Sequence, residues 1–253
     1  MEKRHITEIK KLQLRKYREE YGLFIVEGTK SVADLLASEL KTVQLAATPE
    51  WLAAHGNIVP ESVETLEAGT KDLERVSGLK SPQEVLAVAE TPRFDIGTLS
   101  PDSPVLALDC ISDPGNMGTI MRTADWFGIT DIVCSSDTVE FANPKVIQAS
   151  MGSFCRVRVF HTDLCAFLKS QKDRNIYGTF LDGTPVEQVP FRNNDIIIIG
   201  NEGNGISDEV SALATGRVNI RTCARGDNRA ESLNAAISTG IILYQFRQKT
   251  CMP

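Results

Sequence analysis

Val105-Leu-Ala-Leu-Asp109, followed after three residues by Asp113-Pro-Gly-Asn-Met-Gly-Thr-Ile-Met-Arg122, is the stretch whose reading decides the fold. Val105–Asp109 is a continuous apolar run, as expected of a strand buried on both faces. Pro114-Gly115 turns the chain, and Asn116 reads as the N-cap of a helix over 116–127 that Gly128 ends. Ile120, Ala124 and Phe127 form its core-facing stripe, and Trp126 and Phe127 read as packing groups. Arg122 points away from that stripe. Gly118 and Gly115 lie one and two turns back on its own face, so small residues clear space beside the guanidinium. A lone helix arginine is ordinarily solvated; one flanked by glycines suits the holding of a phosphate or ribose.

Outward from this unit, strands and helices alternate. Strands are expected at 131–134, 156–160, 175–180, 195–200 and 217–220, and helices at 143–151, 162–170, 206–214 and 232–247. This alternation predicts a parallel sheet covered on both faces. Upstream, residues 91–104 are rich in Pro, Ser, Gly and Asp and read as a linker, dividing the chain into 1–92, a linker at 93–104, and 105–253. The first part reads as a small α/β unit. It has a basic helix near 5–20, a strand at 23–26, a Gly28 turn, a helix at 30–38, a strand at 43–47, a helix near 70–77 and a strand at 85–89.

The chain has 253 residues, 42% of them hydrophobic and 24% charged, and a net charge of −6. That is ordinary globular composition, with no apolar run of membrane-spanning length and no secretory signal behind Met1-Glu-Lys-Arg-His5. A cytoplasmic protein is expected. Six cysteines without a C-x-x-C pair, and three histidines, suggest no metal site and reduced thiols. The charge is unevenly spread: residues 1–18 carry seven Lys/Arg against two Glu. Lys10, Lys11 and Arg15 are candidate phosphate contacts there, as are Arg225 and Arg229 in the arginine-rich stretch 217–229. Charge runs of this kind also occur on ordinary solvated faces.

Two further segments end apolar runs with small or polar residues: Gly200-Asn-Glu-Gly-Asn-Gly-Ile206 and Ala230-Glu-Ser-Leu-Asn-Ala-Ala236. A dinucleotide loop starting at Gly200 would need glycines at 202 and 205, but Glu202 occupies the first and would repel a pyrophosphate. Nor does an acid stand about 20 residues on, where Ile220 lies. In the last segment, Leu233, Ala236, Ile237, Gly240, Ile241 and Tyr244 form a helical stripe. Ser232 and Asn234 sit at its start, where capping is the ordinary role.

In this order and spacing the three motifs resemble the SpoU (TrmH-like) family of SPOUT methyltransferases, and Asn143-Pro-Lys-Val-Ile-Gln-Ala-Ser-Met-Gly-Ser153 resembles it as well. Phe24-Ile-Val-Glu-Gly-Thr-Lys30 is similar to the start of the family's L30-like substrate domain. The resemblance implies a C-terminal parallel-sheet SPOUT domain with a trefoil knot and a homodimer formed through it. It implies a function: transfer of a methyl group from S-adenosylmethionine to a ribose 2′-hydroxyl of RNA, ribosomal more than transfer RNA. It also implies site residues: Arg122, Asn116, Glu202, Ser232 and Asn234 for catalysis; Gly200, Gly203, Ile220, Leu233 and Leu181 for the cofactor; Lys145 for RNA. Here the usual Pro-Met after Ile220 is Arg221-Thr222, and the following loop is longer. A transfer-RNA enzyme, or a non-catalytic RNA-binding protein on the same scaffold, stands as the alternative; the joint presence of the polar motif residues speaks against decay. A guanidinium stays protonated, so Arg122 suits electrostatic activation of the hydroxyl, with the proton acceptor unassigned.

Overall fold

The computed structural model describes residues 1–224 and 230–251. They fall into two compact units, one of Met1–Arg93 with Phe141–Arg156, the other of Phe94–Glu140 with the chain from Val157 onward.

In the first unit, α1 (Lys3–Lys11) buries Ile6 and Ile9, and α2 (Arg15–Tyr21) follows after a break. The single basic helix expected over 5–20 is therefore two. Leu14 is extended, and Arg18 donates to the Leu12 carbonyl at 2.8 Å, satisfying an acceptor that the break frees. Arg18 is only 4% exposed, so this member of the basic run is structural.

Next come β1 (Leu23–Glu27), α3 (Thr29–Leu36), β2 (Thr42–Ala47), α4 (Pro49–His55), β3 (Glu64–Glu67), α5 (Thr70–Val76) and β4 (Val85–Glu90). The sheet order is β1-β4-β2-β3, antiparallel except for the β2–β3 pair. β3 and α4 were not expected from sequence. β3 is an edge strand whose two glutamates blunt it, which hides the apolar alternation. α4 starts on Thr48, which accepts from the Trp51 amide, with Pro49 in the first turn.

The second unit begins its sheet with β5 (Val105–Leu108), which leads to α6 (Pro114–Trp126) and β6 (Asp131–Ser135). The chain then crosses to the first unit, where α7 (Pro144–Ser150) sits in a segment whose Phe141 and Phe154 rings pack edge-on to Phe24 at 5.7 and 6.0 Å. By packing, residues 141–156 thus group with the first unit. β7 (Arg158–Thr162) returns the chain to the second unit. There follow α8 (Leu164–Ser170), β8 (Ile176–Phe180), β9 (Thr184–Pro185), β10 (Ile196–Ile199), α9 (Asp208–Ser211), β11 (Gly216–Asn219) and α10 (Ala235–Thr250).

The seven strands, in the order β7-β6-β5-β10-β8-β11-β9, all pair in parallel. The isoleucines of β10 align with Val105–Leu108 on one side and Ile176–Gly178 on the other, which explains their burial on both faces. Parallel pairing brings the carboxyl ends of β5, β8, β10 and β11 to one edge, where ligands bind in open α/β sheets.

Three readings of the helices differ from the structure. Asp113, not Asn116, caps α6, accepting from the Asn116 amide at 2.7 Å. On α10 the buried residues are Ala235, Ala236, Thr239, Ile242, Leu243 and Phe246, whereas Leu233, Ile237 and Tyr244 of the expected core stripe are exposed. The helix is apolar on two faces, and periodicity cannot say which one faces inward. Trp126, expected to pack, is 84% exposed.

Candidate active site

The loop Gly200–Ile206 leaves the buried end of β10 and folds back on itself. Asn201 and Gly205 exchange backbone hydrogen bonds of 2.9 Å, and the Asn201 side-chain oxygen accepts from the Gly203 amide at 2.8 Å. Its side-chain nitrogen donates to the Cys110 carbonyl at 2.8 Å, tying the loop to the end of β5. At Gly200 a Cβ would stand 2.3 to 2.5 Å from the backbone of Gly205 and Ile206, so any side chain would force this turn apart. The Cys110 thiol beside it donates to Asp137; burial first, and that hydrogen bond next, push it up to about 12. It is therefore a neutral structural group.

Around this loop lies a cleft of about 440 Å³, bounded also by the residues after β8 and by the approach to α10. Gly200, Gly203, Ile220, Leu233 and Leu181, the five residues expected at the cofactor, all line it. Leu181 is 76% exposed and Leu233 46%, so the cleft presents uncovered apolar side chains.

Among the described residues one arginine, Arg217, lines the cleft, and it is already committed. Its guanidinium pairs with Asp182 and lies 3.5 Å from the Phe180 ring centroid. The hydrogen bond from Arg217 holds the Asp182 carboxyl below its ordinary value. Sequence reasoning missed Phe180, Asp182 and Arg217; the Asp182-Gly183 turn after an apolar strand was the available signal.

The polar motif residues meet through hydrogen bonds. The Asn116 side-chain amide donates to Glu202, and the Asn234 amide donates to the Asn116 side-chain oxygen at 2.8 Å. The Asn234 oxygen in turn accepts from the Ala236 and Ile237 amides, capping α10. Three segments far apart in sequence are thus linked as Asn234–Asn116–Glu202. Glu202 and Ser232 line the cleft.

Arg122 does not join that chain of contacts. It is exposed on α6, and among the described residues it has neither a hydrogen bond nor an ion pair. α6 and α10 run side by side, with Thr123 against Gly240 and the Arg247 guanidinium donating to the carbonyls of Phe127 and Gly128.

Of the residues expected to contact RNA, Lys10 and Lys11 line a groove in the first unit, Arg15 pairs with Glu19, and Lys145 is exposed on α7. Arg225 and Arg229 lie outside the described residues.

The residues present fit S-adenosylmethionine. The cleft offers apolar side chains for an adenosine and a carboxylate compatible with a cationic ligand, and among the described residues its one lining arginine is already paired. Among the described residues, no helix is long and apolar enough to cross a membrane.

Comparisons with known proteins point the same way. Residues 103–244 match the model of the SpoU rRNA methylase family, and residues 3–87 match an MRM3-like substrate-binding domain. A Bacillus subtilis 23S rRNA guanosine 2′-O-methyltransferase is 28% identical over 96% of this chain and 95% of its own. A Porphyromonas gingivalis protein assigned to the TrmH family of RNA methyltransferases superposes with a TM-score of 0.88 at 34% identity, covering 98% of this chain and 99% of that one. A Sinorhizobium meliloti rRNA methyltransferase, solved with S-adenosylmethionine bound, gives 0.87 at 27% identity over 97% and 95%.

Proposed function

The chain belongs to the SpoU rRNA methylase family, and from that premise we propose that it methylates a ribose 2′-hydroxyl of ribosomal RNA. It is an RNA methyltransferase, and S-adenosylmethionine is its methyl donor. The observation that carries the finer reading is the linkage of Asn234, Asn116 and Glu202 at the cofactor-sized cleft. The 23S rRNA relative, which this chain matches end to end, favours ribosomal RNA over transfer RNA.

In this reading Gly200, Gly203, Ile220, Leu181 and Leu233 hold the cofactor, through backbone at the first three and apolar cover at the leucines. The bound cofactor supplies an electrophilic methyl group. Asn116 and Asn234 orient Glu202, because each amide is fixed by the next and the last is fixed by its cap on α10. Ser232, without a hydrogen bond among the described residues, stands at the cleft wall for the ligand or the ribose. Arg122 grips the phosphate beside the target ribose and lowers the hydroxyl's pKa electrostatically. Alignment of the two bound reactants supplies further acceleration. Lys10, Lys11, Arg15, Lys145, Arg225 and Arg229 contribute to RNA affinity, with 1–92 as the RNA-reading part and 105–253 as the transferase.

The same reading includes the family's trefoil knot, a cytoplasmic location and a homodimer. Exposed Trp126, Ile237 and Tyr244 on α6 and α10 supply apolar surface for a second copy of the chain. A dimer is expected by sedimentation at micromolar protein, and a fully active monomer contradicts that part.

The direct test incubates the protein with radiolabelled S-adenosylmethionine and RNA from cells lacking it. Alkali-resistant labelled dinucleotides in ribosomal RNA are expected, since a methylated 2′-oxygen cannot assist strand cleavage. Label on a base, or RNA binding without transfer, overturns the proposal.

A further inference from the structure

The first unit holds a second concavity, of about 570 Å³, between α1, the α1–α2 break and the C-terminal end of α5. Its lining includes Lys10, Lys11 and Arg75 and no carboxylate, in a chain whose net charge is −6. None of these three cations makes a hydrogen bond or salt bridge among the described residues. The nearby carboxylate of Asp72 accepts from the terminal amino group of Met1 at 2.7 Å; that hydrogen bond first, with the charges of Met1 and Arg75 after it, lowers its pKa.

Beside the cations stands an aromatic face. Tyr17 is half-buried, its ring 5.8 Å from that of Tyr21, and the Lys11 and Lys16 ammonium groups lie 5.4 and 5.7 Å from its centroid. Leu14, also on the lining, is 60% exposed.

The floor is held from two sides. The Gln13 amide donates to the Val76 carbonyl at 2.9 Å, quenching an acceptor at the negative end of α5. The Glu27 carboxylate accepts from the Ser77 hydroxyl and, at 3.0 Å, from the Gly78 amide. At Gly78 a Cβ would stand 2.7 Å from the Gln13 side-chain oxygen, so the absence of a side chain lets Gln13 sit there. The groove is therefore preorganised, and its volume is within the range of about 300–1,000 Å³ usual for ligand sites.

We infer that this groove is a single-stranded RNA site, in which Lys10, Lys11 and Arg75 hold consecutive phosphates while one base stacks on Tyr17. Unpaired cations beside an aromatic face are the pattern by which proteins bind unpaired nucleotides. A duplex hides its base faces and offers only backbone. An acidic peptide would use the cations and leave the aromatic face without a role. The inference rests on RNA being the substrate and deepens that reading: the recognised RNA has an unpaired segment that enters this groove, apart from the nucleotide that is methylated.

The test titrates the full-length protein into a fluorescein-labelled oligouridylate of about ten nucleotides and into a blunt duplex, reading anisotropy. Tyr17→Leu is expected to weaken single-strand binding about tenfold, on the scale of one lost stacking contact, and to leave duplex binding unchanged. Arg75→Gln, an exposed change unlinked to the core, separates a groove effect from a folding defect. It should weaken the single strand and flatten the logarithmic salt slope by about 0.7, as loss of one phosphate contact requires. Unchanged oligouridylate affinity in both variants overturns the inference. So does equal weakening for duplex and single strand, or displacement of the oligonucleotide by polyglutamate as readily as by unlabelled oligouridylate. Failure of the methyl-transfer assay, by contrast, would sink the functional proposal while leaving these binding results to stand.

Discussion

The cleft at the edge of the parallel sheet and the groove over α1 and α5 are of similar size, about 440 and 570 Å³, yet opposite in chemistry. Among the described residues the cleft has a single arginine, neutralised by Asp182 and laid on Phe180, with leucines uncovered around it. The groove has three cations without salt-bridge partners among the described residues, and a tyrosine face. Net charge alone conceals this difference, because a protein of −6 contains both. An arginine already paired contributes shape to a binding site; an unpaired one contributes field. The comparison assigns the cleft to a ligand without phosphates and the groove to a polyanion.

The sharpest way to break this division is at Arg122, which lines neither concavity. Arg122→Ala should lower methyl transfer by roughly 10²-fold or more, the scale of one lost preorganised electrostatic group. Cofactor affinity should be unaltered, and the stability change should stay within about 0.5 kcal/mol, as for a surface residue. Arg122→Lys should recover little, since a point charge lacks the planar two-point grip. Single-turnover methylation with calorimetric titration of cofactor reads all of this, and wild-type turnover in the alanine variant would remove Arg122 from the mechanism.

A smaller effect is expected at Gly200. In Gly200→Ala the new methyl group collides with backbone that cannot swing aside. The fold should lose about 1–3 kcal/mol and cofactor affinity should fall about tenfold, while oligouridylate binding in the other unit persists. Thermal melting and the two titrations check this; joint loss of both affinities would mean the sites are not independent.

The smallest effect is at Leu181. Leu181→Ala removes cover from the cleft without opening a core, so cofactor affinity should drop only about threefold, the scale of part of a leucine's burial. An unchanged dissociation constant would mean that this side chain does not meet the ligand.

The strands were legible because the parallel sheet buries both faces, leaving uninterrupted apolar runs such as Ile196–Ile199. The glycine loop was legible because few residue types survive where Gly200 meets the Gly205 backbone. What escaped was anything decided by the choice between equivalent faces. α10 is apolar on both, and the buried one carries Thr239, Leu243 and Phe246 beside Ala236, whereas Ile237 and Tyr244 of the expected stripe are exposed. Trp126 escaped for a related reason: hydrophobicity predicts that a ring will be covered, but not by which molecule. Arg18 was counted with the basic run of 1–18 and no structural role was legible for it, because its hydrogen bond to Leu12 exists only once the helix breaks. The wall of Phe180, Asp182 and Arg217 is assembled from the end of β8, the turn after it and β11, so no single stretch of sequence displays it.

The excursion of residues 141–156 into the first unit has a consequence for the order of assembly during synthesis. Phe24 lies near the beginning of the chain, but Phe141 and Phe154, which pack against it, emerge only after β5, α6 and β6 have been made. Domains generally fold as they leave the ribosome, N-terminal first. Here the N-terminal unit must wait, with one side of Phe24 bare, until well over half of the polypeptide exists. A nascent chain halted at the linker would therefore present an apolar surface to chaperones, and release of that surface would mark the moment residue 156 becomes available.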